Sequence, residues 1–177
     1  MAELRIRGTE RVLTEADEIQ EFVGQYGLDY EKWNIDKLHS DEAQSLEVDS
    51  EQERILTVFA DEVDALKERG GYQTADVIAL TPDTPNLDEI LAKFDKEHHH
   101  TEDEVRFVVD GRGVFVIHAE DDTVFDVEVH PGDLLVVPDG THHWFELCED
   151  RQIQCIRVFS SKDGWVAHYS EPEEAAE

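Results

Sequence analysis

The stretch Glu97-His98-His99-His100-Thr101-Glu102-Asp103-Glu104-Val105-Arg106-Phe107 decides how this chain is read. Two imidazoles stand two residues apart, and a carboxylate follows four residues later. The β-branched and aromatic run Val105–Val109 comes next and ends at Asp110-Gly111. Alternate side chains of a strand share a face. His98 and His100 therefore point one way and His99 the other. Glu104 and Arg106 have the parity of His98 and His100 and join their face if the chain stays extended. Imidazole nitrogen with carboxylate oxygen suits a borderline first-row divalent metal such as Fe(II), Ni(II), Mn(II) or Zn(II). The bland alternative is a charged strand edge, and the spacing argues against it.

A fourth ligand is expected from Pro131-Gly132-Asp133-Leu134-Leu135-Val136-Val137-Pro138-Asp139-Gly140-Thr141-His142-His143-Trp144-Phe145. Together the two stretches resemble the paired motifs of the cupin family. His98, His100, Glu104 and Gly111 keep the spacing of the first motif, and Gly132, Pro138, Gly140 and His143 keep that of the second. Ala92 and Leu147 stand where the family usually has glycine and asparagine; neither position supplies a ligand. The Pro138-x-Gly140 spacing selects His143 over His142. Glu102 and Asp103 read as solvated, and His39, His118, His130 and His168 as ordinary polar residues. Arg106 and Arg157 lie in expected strands, where each is either a functional cation or half of a buried ion pair.

Outward from this centre the pattern has period two. Val105–Val109, Val114–His118, Thr123–Val129, Leu134–Val137, His142–Leu147 and Ile153–Phe159 read as strands. Asp110-Gly111-Arg112-Gly113 and Glu120-Asp121-Asp122 read as hairpin turns. Before residue 98 the pattern is mixed. Leu4 and Ile6 suggest a first strand. Thr14 is placed to cap a helix over residues 15–26. Residues 28–38 read as a connector or short strand. A long helix from Asp49 or Ser50 to Glu68 buries Ile55, Leu56, Phe59, Val63 and Leu66 and stops at Gly70-Gly71. A strand at 76–80 and a helix from Asn86 to about Asp95 lead to the histidines. The expected fold is mainly β, a cupin double-stranded β-helix (jelly-roll barrel) flanked by helices from the N-terminal half. One domain spans 1–177, with the helical flank and first strands at 1–97, the metal-binding core at 98–169 and an acidic tail at 170–177.

At 177 residues the chain is long enough to bury a core as one domain. Fifteen basic residues against 44 acidic ones give a net charge of −29. That argues against a nucleic-acid partner and against an anionic membrane surface. The acidic residues are dispersed, which reads as a solvated coat suited to a host with high internal salt. No apolar signal core or membrane-spanning run is seen, and Cys148 and Cys155 do not make a disulfide framework. A cytoplasmic protein with two free thiols is expected.

The run from Glu97 to Phe107 also resembles the signature of the acireductone dioxygenases. Gly71-Tyr72-x-x-x-Asp76-Val77-Ile78-x-Leu80, Val137-Pro138-x-x-Thr141-x-His143-Trp144-Phe145, Ile156-Arg157-Val158-Phe159 and Gly164-Trp165-Val166-Ala167 agree with it. The likeness is good over residues 70–169 and holds only in outline before them. His99 and His142 depart from the family's usual residues and put extra imidazoles beside the site. The resemblance implies a methionine-salvage enzyme, a monomer of one cupin domain, that cleaves acireductone (1,2-dihydroxy-3-keto-5-methylthiopentene) with O₂. With Fe(II) the products are 4-methylthio-2-oxobutanoate and formate. With Ni(II) they are 3-methylthiopropionate, formate and CO. It implies one metal per chain on His98, His100, Glu104 and His143, with two adjacent positions left for a chelating enediolate. Arg106, then Arg157, are the cations expected to meet the substrate anion. Phe94, Phe145 and Trp165 are the expected apolar wall. The rival readings are another cupin enzyme and a non-enzymatic metal- or small-molecule-binding cupin.

Overall fold

Short runs of alternating apolar residues bury one face as strands only if their backbone groups are paired by neighbours. In the computed structural model, which describes residues 2–160 and 168–169, they do so in two antiparallel sheets. One sheet runs in the order β12 (His168–Tyr169), β5 (His98–His99), β10 (His142–Leu147), β7 (Gly113–His118), β8 (Val124–Val129), β1 (Glu3–Ile6), β2 (Val12–Leu13). The other runs β3 (Asp29–Lys32), β9 (Asp133–Val137), β6 (Glu104–Gly111), β11 (Ile153–Phe159), β4 (Thr74–Leu80). This is the mainly β, double-sheet architecture expected. Strands from the first half extend both sheets rather than standing apart from them.

The parity of the five-stranded sheet separates two cores. Along β9, Leu135 and Val137 pack between the sheets, whereas Leu134 and Val136 pack outward. Along β6, Val108 faces inward, and Val105, Phe107 and Val109 face outward. The outward face is covered by α3 (Glu51–Val58) and α4 (Ala60–Gly70), through Ile55, Phe59, Val63 and Leu66. Glu104 and Arg106 share the parity of Val108, so the helix-covered face takes the apolar residues and leaves the polar pair to the interior.

The long helix expected from residue 50 is two helices that break at Phe59. Phe59 is fully buried, with its ring 4.9 Å from that of Phe107 and 6.3 Å from that of Trp33. Ser50 does cap α3: its hydroxyl accepts from Glu53 N–H, and the Glu53 carboxylate accepts from Asp49 N–H. Gly71, at φ 75°, ends α4 in the left-handed conformation. The first helix, α1 (Ala16–Gly24), starts at Glu15 without a side-chain cap, so the cap expected of Thr14 is not used. Residues 35–44 add a 3₁₀ turn (Ile35–His39) and α2 (Asp41–Gln44), too short to show as periodicity. The last helix, α5 (Leu87–Ala92), ends earlier than expected.

The segment 110–113 is a crossing from one sheet to the other, because β6 pairs with β9 and β11 while β7 pairs with β8 and β10. The hairpin expected there does not form. Gly111 has φ 73°, and a Cβ on it would overlap the Gln152 carbonyl. The turn at 120–122 does close a hairpin, with β7 paired to β8 from His118↔Val124. Among the described residues no helix is long and apolar enough to cross a membrane. The acidic tail lies outside the described residues.

Candidate metal centre

The centre is built across the gap between the sheets. His98 on β5 and His143 on β10 are direct cross-strand partners, so both side chains enter from the seven-stranded sheet. Glu104 opens β6 in the other sheet. His100 sits on the connection between β5 and β6, and its carbonyl accepts from Gly140 N–H (2.9 Å). Asp103 accepts from Asp139 N–H (3.0 Å) and from the Tyr72 hydroxyl (2.7 Å). These bonds tie the loop carrying His100 to the Pro138–Gly140 turn that precedes His143. Asp103, expected to be solvated, is therefore a structural tether.

His98, His100 and His143 are 1%, 5% and 2% exposed. One ring nitrogen from each lies within 4.8 Å of the others. Glu104 Oε2 lies 2.6 Å from His143 Nε2 and 3.6 Å from His100 Nε2. The other ring nitrogens are engaged: His98 Nδ1–H donates to the Lys96 carbonyl (2.6 Å) and His143 Nδ1–H to the Thr141 carbonyl (2.9 Å). Such bonds fix ring orientation and turn Nε2 towards the site. A metal with bonds of about 2.1 Å holds its ligands about 3 to 4 Å apart. The donor set, three imidazoles and one carboxylate at near that separation, fits a divalent metal. His99 points to the other side of the sheet, as its parity requires, with its ring 5.1 Å from that of His142.

The electrostatics match this use. Burial, reinforced by the neighbouring His143, lowers the pKa of His98 to about 4, so it is a neutral donor. Burial works against ionisation of Glu104, but Arg106 and His143 outweigh it and hold the carboxyl below the usual range. Burial likewise opposes a charge on His143, and the Glu104 carboxylate reverses the balance and raises it.

A cavity of ≈ 500 Å³ adjoins Glu104. Phe94, Phe115 and Phe145 line it, with Leu91, Ile78 and Cys155. Arg106, Arg157 and Lys93 bring positive charge to it, and the two arginines are cross-strand partners between β6 and β11. Arg106 Nη2 is 3.0 Å from Glu104 Oε1. Arg157 makes a two-point ion pair with Asp76, at 2.8 and 2.6 Å. Both arginines thus have an acidic partner: that of Arg106 stands two residues away on the same strand face, and that of Arg157 is distant in sequence. Phe94 and Phe145 line the cavity as expected; Trp165 lies outside the described residues. Ile78, Leu91 and Cys155 were not singled out from sequence. They belong to elements that approach the site only after folding, and an apolar residue in a strand reads as ordinary core.

Comparison with known proteins agrees with this geometry. Residues 8–167 match a family model described as the ARD/ARD′ family. The chain is 47% identical over 176 residues to an acireductone dioxygenase of Sulfurihydrogenibium sp., covering 99% of this chain and 98% of the relative. It is 47% identical over 171 residues to an acireductone dioxygenase of Bacillus velezensis, covering 96% of each. A solved structure of acireductone dioxygenase from Bacillus anthracis, with a cadmium ion in its active centre, superposes with a TM-score of 0.88 at 44% identity, over 96% of this chain and 98% of that one.

Proposed function

Because the chain belongs to the ARD/ARD′ family, we propose that it is a metal-dependent acireductone dioxygenase, cleaving 1,2-dihydroxy-3-keto-5-methylthiopentene with O₂ in methionine salvage. The observation that carries this reading is the convergence of His98, His100, His143 and Glu104 beside an apolar cavity that also holds Arg106.

These four residues would hold one divalent cation, Fe(II) or Ni(II). When bound, it supplies Lewis-acid stabilisation of a substrate anion. Lys96 and Thr141 carbonyls keep the His98 and His143 rings turned towards the site. Arg106 is the catalytic cation: it already sits against Glu104 and offers further guanidinium donors to an anionic substrate oxygen. Arg157 is held by Asp76 and adds positive charge from the facing strand. Phe94 and Phe145 receive the methylthio end and keep water from the reacting carbons.

The metal decides the products: 4-methylthio-2-oxobutanoate and formate with Fe(II); 3-methylthiopropionate, formate and CO with Ni(II). An N/O site binds Ni(II) more tightly than Fe(II), so cellular supply selects the ion. The protein works as a monomer in the cytoplasm, where its free cysteines stay reduced. The test is anaerobic loading with each metal, then acireductone and air, with product analysis. Oxygen uptake with metal-specific products is the expected result. No uptake with either metal would leave only a metal-binding cupin.

A further inference from the structure

The outer face of the seven-stranded sheet carries a second cluster of imidazole and carboxylate side chains, unused by the reaction. His142 and His118 are direct partners across β10 and β7, and His99 and His168 are partners across β5 and β12. The His99 ring lies 5.1 Å from that of His142 and 5.3 Å from that of His168. Four imidazoles thus form a row across the consecutive strands β12, β5, β10 and β7. Ring separations in the inner triad are 4.6, 4.9 and 5.4 Å, the same range.

Glu97 supplies the carboxylate. Its Oε1 is 2.9 Å from His118 Nδ1 and its Oε2 3.3 Å from His142 Nδ1. Each oxygen of Glu97 thus meets one imidazole at about the 3 to 3.4 Å that separates two donors on one cation with bonds of about 2.1 Å, so small side-chain rotations would bring the three groups onto one ion. His99 Nδ1 is buried and has no hydrogen-bond partner. The side chains of Glu97, His118 and His142 are 28%, 33% and 42% exposed, which leaves a path for a cation. They border an open cavity of ≈ 1060 Å³ whose wall also carries Asp121, Asp122 and Asp139. That negative wall raises the local concentration of cations.

Strand alternation explains the duplication. Along Glu97-His98-His99-His100 and His142-His143, consecutive residues fall on opposite faces, so one face receives the inner ligands and the other receives His99 and His142. We propose that Glu97, His118 and His142, with His99 as fourth donor, form a second site for a borderline divalent transition metal such as Ni(II). Three imidazoles and one carboxylate repeat the inner donor set on the other face of the same sheet.

The experiment is equilibrium dialysis of the Ni(II)-loaded holoprotein against Ni(II) with excess Mg²⁺, followed by elemental analysis. Mg²⁺ occupies exposed carboxylates without competing for imidazole. Two Ni(II) per chain are expected, falling to one in His118→Ala/His142→Ala and in the isosteric Glu97→Gln. His98→Ala/His143→Ala should keep one, carried by the outer site, which separates this inference from the inner-site reading. Thermal melts check that each variant is folded. One Ni(II) per wild-type chain overturns the proposal. So does a second Ni(II) that survives in both outer-site variants, since it is then held elsewhere on the acidic surface.

Discussion

Glu104 Oε2 stands 2.6 Å from His143 Nε2, a bond that joins the first residue of β6 in one sheet to β10 in the other. His143 Nδ1 also lies 2.9 Å from the Thr141 carbonyl, and although burial opposes a charge on the ring, the Glu104 carboxylate raises its pKa and so favours a proton at Nε2. A metal at Nε2 must displace that proton. Metal affinity is therefore expected to rise with pH, with proton release on binding. Calorimetry of metal binding in buffers of different ionisation enthalpy measures it; heats independent of buffer contradict it.

Glu104→Gln removes the only carboxylate of the inner ligand set and leaves Arg106 facing a neutral amide. The metal-free variant should lose about 3 kcal/mol of stability, as when one partner of a buried pair is removed. Elemental analysis should show the inner metal largely lost after dialysis, and turnover should fall at least about 100-fold.

Arg106→Met keeps the length of the side chain and removes its charge. A fall of about 100-fold in kcat/KM is expected, the loss of one charge-assisted contact of about 3 kcal/mol, with metal content unchanged. Steady-state kinetics beside metal analysis separate this from loss of the ion. Unchanged kinetics would remove Arg106 from its role.

Gly111→Ala combines a left-handed backbone with a Cβ that overlaps the Gln152 carbonyl. The crossing between sheets has no slack, because residue 111 pairs with Ile153 while residue 113 already belongs to the other sheet. A loss of about 2 to 4 kcal/mol is expected from urea unfolding.

His118 is raised above its ordinary value of 6.5 chiefly by the hydrogen bond to Glu97, with Asp122 adding to it. Its contribution is fully present below pH 6.5 and lost as pH rises through the raised folded value. In metal-free protein, His118→Ala should lower the melting temperature at pH 5.5 and do much less at pH 8.5. The effect should not exceed about 1 kcal/mol, the scale of partly exposed pairs.

A net charge of −29 repels itself in the compact state. Raising KCl from about 0.1 M to 1 M shortens the screening length from about 10 Å to 3 Å. The melting temperature should climb by about 5 °C or more. A flat or falling series would reject the high-salt reading of the surface.

The ligands were legible in sequence because strand parity is local: a two-residue spacing sets His98 and His100 on one face, and a glycine-bounded turn sets where β10 begins. The strands after residue 98 were legible for the same reason. The break at Phe59 was not, since a buried aromatic suits an unbroken apolar stripe equally well. Nor was the crossing at 110–113, where a turn signal says that the chain bends and not which sheet receives it. The acidic partner of Arg157 was hidden by distance along the chain: Asp76 reaches it only because β4 pairs with β11.

By itself, then, the order of residues determined which side chains share a face and which chemistry they offer, because those depend on a backbone repeat of two. Only the tertiary structure decided which faces meet. It brought Glu104 to His143 across two sheets, enclosed a cavity between Arg106 and three phenylalanines, and set four histidines in a row on the far side. Pairing of distant strands is a property of the whole packed chain, and no local spacing encodes it.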